Sequence, residues 1–155
     1  MRFLPVALFL ISTSVFAADN PFLGTWKLNT AKSKSSPMPV AQSMTVKFET
    51  DGEKVRRTVT GIDGEGKAIM QGGPEGSSIA WDGKDHAVQN GPPMMTVAVK
   101  RVNDSRNDVT VKQNGKVTTT VRSVVSKDGK TMTNTIDGVN EKGEKVHGIE
   151  VLDKQ

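Results

Sequence analysis

The 155-residue sequence contains no cysteine and no tyrosine, and only 5% of its residues are aromatic. The lack of cysteine excludes a small domain held together by disulfides. Because aromatic side chains are scarce, the core must be built mostly from Val, Ile, Leu, Met and the methyl groups of Thr. A chain of this length predicts a single domain.

The sequence also lacks a large excess of positive or negative charge. The chain has 21 Lys and Arg against 17 Asp and Glu, and the two signs are interspersed without a basic block. This balance favours solubility and does not indicate an acidic partner. Aromatic residues are not interleaved with basic ones as in nucleic-acid-binding surfaces, so we expect no nucleic-acid binding.

Residues 1–17 have the pattern of a secretory signal peptide. Arg2 supplies the positive start, the run from Phe3 to Ile11 is almost entirely apolar, and Val15-Phe16-Ala17 is a small-residue exit. The apolar run is shorter than the ~20 residues that span a bilayer, and no later run approaches that length. We therefore expect cleavage after Ala17, one domain over residues 18–155, a periplasmic or secreted location and no transmembrane segment.

The rest of the chain alternates short runs rich in Val, Thr and Met with turns that place Gly beside Asp, Asn or Glu. Such turns suit tight hairpins, whose central residues need positive φ. We predict strands near residues 24–28, 42–50, 54–62, 67–71, 77–81, 86–90, 94–102, 108–113, 116–126, 131–139 and 145–152. Hairpin turns are expected between them, including one at 81–84, and a single helical turn at 30–33 precedes an extended connector.

The predicted fold class is all-β. Successive hairpins give an antiparallel up-and-down meander, and closure into a β-barrel of about 8–10 strands removes the exposed edges. Alternation along the strands predicts three inward faces: one with Val55, Arg57 and Val59, one with Val97, Val99 and Arg101, and one with Val117, Thr119, Val121, Ser123 and Val125.

A family resemblance lies at the start of the domain. The segment Phe22-Leu23-Gly24-Thr25-Trp26-Lys27-Leu28 resembles the first strand of the calycins, the lipocalins and fatty-acid-binding proteins. Together with residues 29–34 and 153–155, it is also similar to exported bacterial proteins described as lipocalin-like. The resemblance implies a lipocalin-like barrel around a small lipophilic ligand, in which Gly24 allows close backbone approach and Trp26 plugs the floor. An ordinary core tryptophan would be buried almost equally.

The resemblance has limits. Fatty-acid-binding proteins place two helices after the first strand, and residues 29–41, with Pro37 and Pro39, are too short for both. They also hold the ligand carboxylate with an Arg-x-Tyr pair near the C-terminus, whereas this chain has no tyrosine and no arginine in its last strand. No ligand-binding residue is therefore transferred from that family.

Candidate ligand contacts come from the residues themselves. Arg57 and Arg101 interrupt apolar strand faces, so a guanidinium inside a barrel could bind an anionic head group. Arg101 could instead lie at a rim, and Arg57 could face water if the strand register differs by one residue. Phe48, Trp81 and Met95 are candidates for the cavity lining, together with Met44, Met70, Met94 and Met132, although methionine-rich cores are commoner than methionine-lined pockets.

Catalytic patterns are scarce. His86 and His147 are the only histidines and lie far apart in sequence, and no His-x-x-x-His, Gly-x-Ser-x-Gly or Gly-x-x-x-x-Gly-Lys motif occurs. We expect no enzyme, no metal and no cofactor. The sequence favours a protein that binds a small hydrophobic or amphipathic ligand, with an envelope or extracellular interaction protein whose barrel is filled by its own side chains as the alternative.

Overall fold

The computed structural model describes residues 20–155, so the predicted signal peptide lies outside the described residues. Twelve strands follow one another: β1 Gly24–Leu28, β2 Lys34–Ser36, β3 Ser43–Asp51, β4 Lys54–Ile62, β5 Ala68–Gln71, β6 Ser77–Ile79, β7 His86–Ala87, β8 Met95–Asn103, β9 Arg106–Gln113, β10 Lys116–Val125, β11 Thr131–Val139 and β12 Lys145–Lys154. A single 3-10 turn, Thr30–Lys32, follows β1, as the sequence predicts.

The strands form one antiparallel sheet that curls into a half-barrel. Ten of them follow the hydrogen-bonded order β5-β4-β3-β1-β12-β11-β10-β9-β8-β7, while β2 pairs with β12 and β6 pairs with β4. Because β1 pairs with both β3 and β12, the first and last strands of residues 20–155 lie side by side in the middle of the sheet. The predicted all-β antiparallel meander is confirmed.

Most of the expected turns join paired strands. Between β9 and β10, Asn114 and Gly115 have φ values of 51° and 78°, the positive pair that a tight hairpin turn requires. The turn expected at 81–84 is different, because β6 pairs with β4 and β7 pairs with β8. The prediction of a hairpin there was wrong.

Residues 80–83 instead cross the opening of the half-barrel. The chain leaves the edge of β4 after Ile79 and reaches the edge of β8 at Asp82, which forms an antiparallel bridge with Lys100. The Gly83 N–H then donates to the Val99 carbonyl at 2.9 Å. Trp81 therefore lies between the two free edges of the sheet.

The predicted faces agree with the strand register at most positions. Val59 and Val99 are buried, and Val121 is opposite Val109 on the inner face. Val117 is an exception, because a bulge between Val117 and Thr119 shifts the register of β10. Val117 is opposite Lys112 and is 53% exposed, so its predicted place on the inner face was wrong.

One end of the half-barrel is filled by its own side chains. We call this buried cluster the floor; it consists of Phe22, Trp26, Leu28, Met44, Val46, Val59, Val125, Met132 and Leu152. Phe48, Ile69 and Trp81 pack against it and are partly buried. Val97 and Val99 on β8 are also buried, whereas the inner face of β9 to β11 beyond the floor is only half-covered.

Candidate functional site

Directly above the floor, four neighbouring strands each carry a polar residue at the next position on the inward face. Asn107 on β9 is opposite Ser123 on β10, Ser123 is opposite Asn134 on β11, and Asn134 is opposite Glu150 on β12. We call these four residues the polar row. Ser123, Asn134 and Glu150 are each two positions from a floor residue on the same strand face, so the row lies one layer above the apolar cluster.

Arg57 enters the same interior from β4. Its cross-strand partners are Phe48 on β3 and Ser77 on β6, and its Nη1 donates to the Gln71 side-chain oxygen at 2.9 Å. Burial lowers the pKa of Arg57, and the nearby negative charge of Glu150 opposes that change. The residue nevertheless remains accessible to solvent. Its side chain is exposed, so Arg57 lies where the interior is open to water.

Glu150 is the acidic counterpart of Arg57. Burial raises its pKa, while a hydrogen bond from the Asn134 side-chain amide, at 3.3 Å, and the charge of Arg57 favour the carboxylate. Arg57 and Glu150 influence each other electrostatically without forming a direct salt bridge. Arg57 and Glu150 are therefore a cation and an anion that attract each other and are not in contact.

Two amide oxygens of the polar row have no hydrogen-bond partner. Asn107 is only 3% exposed, and its Oδ1 is buried and unpaired. Asn134 donates its amide N–H to Glu150, which directs its Oδ1 away from that carboxylate, and this oxygen is also buried and unpaired. Native proteins rarely leave such atoms without a donor.

The aromatic candidates lie together beside Arg57. The rings of Phe48 and Trp81 meet edge to face with centroids 6.1 Å apart, and Trp81 makes a second edge contact with Phe22 at 5.5 Å. These contacts connect the crossing segment to the floor. Phe48, Trp81 and Arg57 thus form one contiguous group at the boundary between the floor and the open interior.

Two other candidates lie on β8. Arg101 is opposite Asn107 at the end of the polar row, and its Nη2 donates to the Asp104 carboxylate at 3.3 Å in the hairpin that ends its own strand. Met95 lines a groove at the β7–β8 connection with Pro92 and Pro93.

The methionines do not form a common lining. Met44 and Met132 belong to the floor, whereas Met70 is 60% and Met94 is 71% exposed. Met94 nevertheless lines the same groove as Met95 at the β7–β8 connection.

Gly24 and Trp26 lie where β1 meets both β3 and β12. Trp26 is fully buried, and its indole N–H donates to the Phe22 carbonyl at 2.8 Å. Gly24 has a φ of +115°, a conformation that other residues rarely adopt, and its added Cβ would lie 3.1 Å from the Lys154 side chain. The Lys154 ammonium lies 5.0 Å from the centroid of the Trp26 ring.

Sequence reasoning missed Glu150 and Asn134, although the signal that selected Arg57 was present. Glu150 lies between Gly148 and Leu152 on one strand face, and both neighbours are buried. Asn134 occupies the corresponding position after Met132 on β11. A polar residue that interrupts an inward strand face deserves the same scrutiny whatever its charge.

The histidines are engaged in separate pairs. The His86 ring lies 2.9 Å from Asp82, and the His147 ring lies 2.7 Å from Asp137. Within residues 20–155 no group of three or more His, Cys, Asp or Glu residues is placed to hold a metal ion. Over the same range, no helix has the length and apolar character to cross a membrane.

Comparison with known proteins supports the fold. No protein-family model matches this chain, and no curated protein matches it in sequence. Among solved structures, it is similar to a Schistosoma mansoni fatty acid binding protein in complex with arachidonic acid, with a TM-score of 0.55 and 16% identity over 88% of this chain and 97% of that one. It is also similar to a zebrafish ileal bile acid-binding protein complexed with cholic acid, with a TM-score of 0.50 and 10% identity over 87% of this chain and 99% of that one. At these identities the likeness establishes a shared β-barrel fold.

Proposed function

We propose that this protein binds a small amphipathic molecule with an anionic head group inside the half-barrel and does not transform it chemically. The observation that carries the proposal is the state of Arg57, a solvent-exposed guanidinium on an inward strand face whose one side-chain hydrogen bond goes to the neutral Gln71. A guanidinium has five donor N–H groups. Most of its donors are therefore free to meet a carboxylate, sulfate or phosphate oxygen.

The walls near Arg57 suit an apolar tail. Phe48 and Trp81 are only partly buried, and so are Val109, Val121 and Ile136 on the inner face of the opposite strands. Covering such surface stabilises a complex by about 25 cal/mol for each Å² removed from water. An amphipath could thus place its head at Arg57 and its chain against the half-covered wall.

The similar solved structures support the same proposal. Those two structures are complexes with lipid-like acids, arachidonic acid in one and cholic acid in the other. Fold likeness alone does not determine function. The argument therefore depends on Arg57 and the half-covered wall of this chain.

We also propose that the protein works outside the cytoplasm, after removal of residues 1–17. The support is the sequence pattern ending at Ala17. Mass spectrometry of the protein from fractionated source cells tests this: an intact N-terminus in the cytosolic fraction would contradict the proposal, and a chain starting at Ala18 in the periplasm or medium would support it.

The binding proposal is tested with the protein as purified from its natural compartment. Native mass spectrometry should detect a bound small molecule, and hexadecanoic acid should displace a dansyl-labelled fatty acid from the delipidated protein. Saturable, competable binding that is much weaker for the methyl ester than for the acid supports the proposal. A bare mass together with no uptake of the labelled acid would refute it and favour the alternative, an interaction protein with a side-chain-filled barrel.

A further inference from the structure

The polar row contains more acceptor capacity than the protein itself uses. The Oδ1 atoms of Asn107 and Asn134 are both buried and unpaired. A buried amide oxygen without a donor costs about 1–3 kcal/mol. Two of them in one layer, separated by a single strand, are better explained by a missing partner than by chance.

The position of the row restricts what that partner can be. Asn107, Ser123 and Asn134 sit on three adjacent strands, so their backbones span about 10 Å across the interior wall. The free oxygens lie one layer above Val125 and Met132 of the floor. The protein's own donors beside these oxygens are the Ser123 hydroxyl and the Arg101 guanidinium opposite Asn107, and neither is bonded to them in this structure. A molecule inside the half-barrel is the other source of a donor, and it reaches the buried oxygens when the amide side chains turn toward it.

The chemistry of the row selects a donor. The N–H donation of Asn134 to Glu150 fixes which amide atom is left without a partner, and that atom is the buried oxygen Oδ1. Amide and carboxylate oxygens accept hydrogen bonds, and they repel a second carboxylate or an ether oxygen. An unsubstituted hydrocarbon chain would leave both oxygens unpaired.

We propose that the polar row recognises hydroxyl groups on the body of the ligand, so that the preferred ligand is a hydroxylated amphipathic acid. This inference rests on the proposed function, because it assumes that the head group binds at Arg57. The two contacts can be tested separately: Arg57 binds the anionic head group, while Asn107 and Asn134 accept hydrogen bonds from hydroxyl groups along the ligand's hydrocarbon chain.

The experiment compares three kinds of probe on the full protein. Hexadecanoic acid is the reference, and the test probes carry one hydroxyl at successive carbons of that chain. The matched control probes carry a methyl group at the same carbons, which separates the donor from its size. Binding is measured by displacement of a dansyl-labelled fatty acid. At least one hydroxylated acid should bind about 3- to 10-fold more tightly than both hexadecanoic acid and its methyl-substituted counterpart.

Variants then locate the effect. Asn107→Leu and Asn134→Leu keep the approximate side-chain size and remove the acceptor, so each should abolish the preference for the hydroxyl while hexadecanoic acid still binds. If one variant does not fold, the other variant and the wild-type probe series remain decisive.

Two outcomes would overturn the inference. Equal binding of hydroxyl and methyl probes would mean that ordered water, rather than ligand, satisfies the two oxygens. A hydroxyl preference unchanged in both variants would place the donor elsewhere. In either case tight, Arg57-dependent binding of hexadecanoic acid would leave the proposed function intact, whereas no binding of any probe would defeat the proposed function itself.

Discussion

Arg57 on β4 and Glu150 on β12 face the same interior. Burial lowers the pKa of Arg57 and raises the pKa of Glu150, and the attraction between the two charges opposes both changes. The two groups do not close into a salt bridge. The pair therefore leaves the guanidinium available to an anionic ligand and places a carboxylate near that ligand.

Replacement of Arg57 tests the head-group site. In Arg57→Gln, binding of hexadecanoic acid should weaken roughly 10- to 100-fold, because charge-assisted hydrogen bonds are worth about 1.5–3 kcal/mol. The methyl ester should be unaffected. Displacement of a dansyl-labelled acid measures both affinities.

Arg101→Gln is the matched control. Arg101 is opposite Asn107, and its guanidinium is already paired with the exposed Asp104 carboxylate, whereas Arg57 bonds only to the neutral Gln71. Its loss should change affinity by less than about twofold. Equal losses in the two variants would contradict the assignment of Arg57 as the head-group residue.

The burial of Glu150 should make the stability of the folded protein depend on pH. Burial raises its pKa in the folded protein above the ordinary value of 4.5, so the protonated form favours folding. This contribution is fully present below about pH 4.5 and is lost as the pH rises through the folded pKa. Glu150→Gln retains an acceptor for the Asn134 amide, so it should melt at a higher temperature than wild type near pH 7 and at the same temperature near pH 4.

The control for that comparison is Glu141→Gln, which changes an exposed carboxylate in the turn between β11 and β12. Its melting temperature should follow wild type at every pH. A Glu150→Gln variant that melts lower than wild type near pH 7 would show that attraction to Arg57 outweighs burial.

Ligand affinity should depend on the same carboxyl group. Anilinonaphthalenesulfonate stays anionic across the acidic range, so any pH effect on its binding belongs to the protein. Its affinity should rise as the pH falls and Glu150 becomes protonated, because a competing negative charge near Arg57 disappears. In Glu150→Gln, fluorescence titrations should give tight binding that no longer depends on pH; a wild-type profile in that variant would exclude Glu150 as the source.

The floor is predicted to control stability. Trp26→Phe removes the indole N–H that bonds to the Phe22 carbonyl and leaves a cavity in the buried cluster. We expect a loss of about 2–4 kcal/mol in the free energy of unfolding, measured with urea. Trp81→Phe is the control, since Trp81 is only partly buried, and it should cost less; an equal cost would show that the crossing segment is as important as the floor.

Local signals in the sequence predicted most of the fold. The Asn114-Gly115 turn and the alternation of Val55, Arg57 and Val59 fix a hairpin and an inward face, and the structure has both. Long strands with short turns leave few alternative pairings. The antiparallel meander could be predicted for that reason.

Features that depend on contacts between distant parts of the chain could not be predicted from the sequence. The turn signal at Asp82-Gly83 shows that the chain bends there and says nothing about which strands it joins, so the crossing to Lys100 was missed. The short strand β2 pairs with β12 more than 100 residues later, and its sequence carries no strand pattern. The bulge after Val117 likewise has no local marker.

The candidate site was likewise predicted only in part from the sequence. Arg57, Phe48 and Trp81 were selected from sequence and lie together, whereas the facing of Arg57 with Glu150 depends on how the sheet curls. Curvature is a property of the whole sheet, and alternation along single strands does not encode it.

The most direct test is a crystal structure of the full protein with hexadecanoic acid. The account predicts the carboxylate within about 3.5 Å of the Arg57 guanidinium and the chain along the half-covered wall above the floor. An interior without ligand in which Arg57 is bonded to Glu150, or a fatty acid bound only on the outer surface, would contradict it.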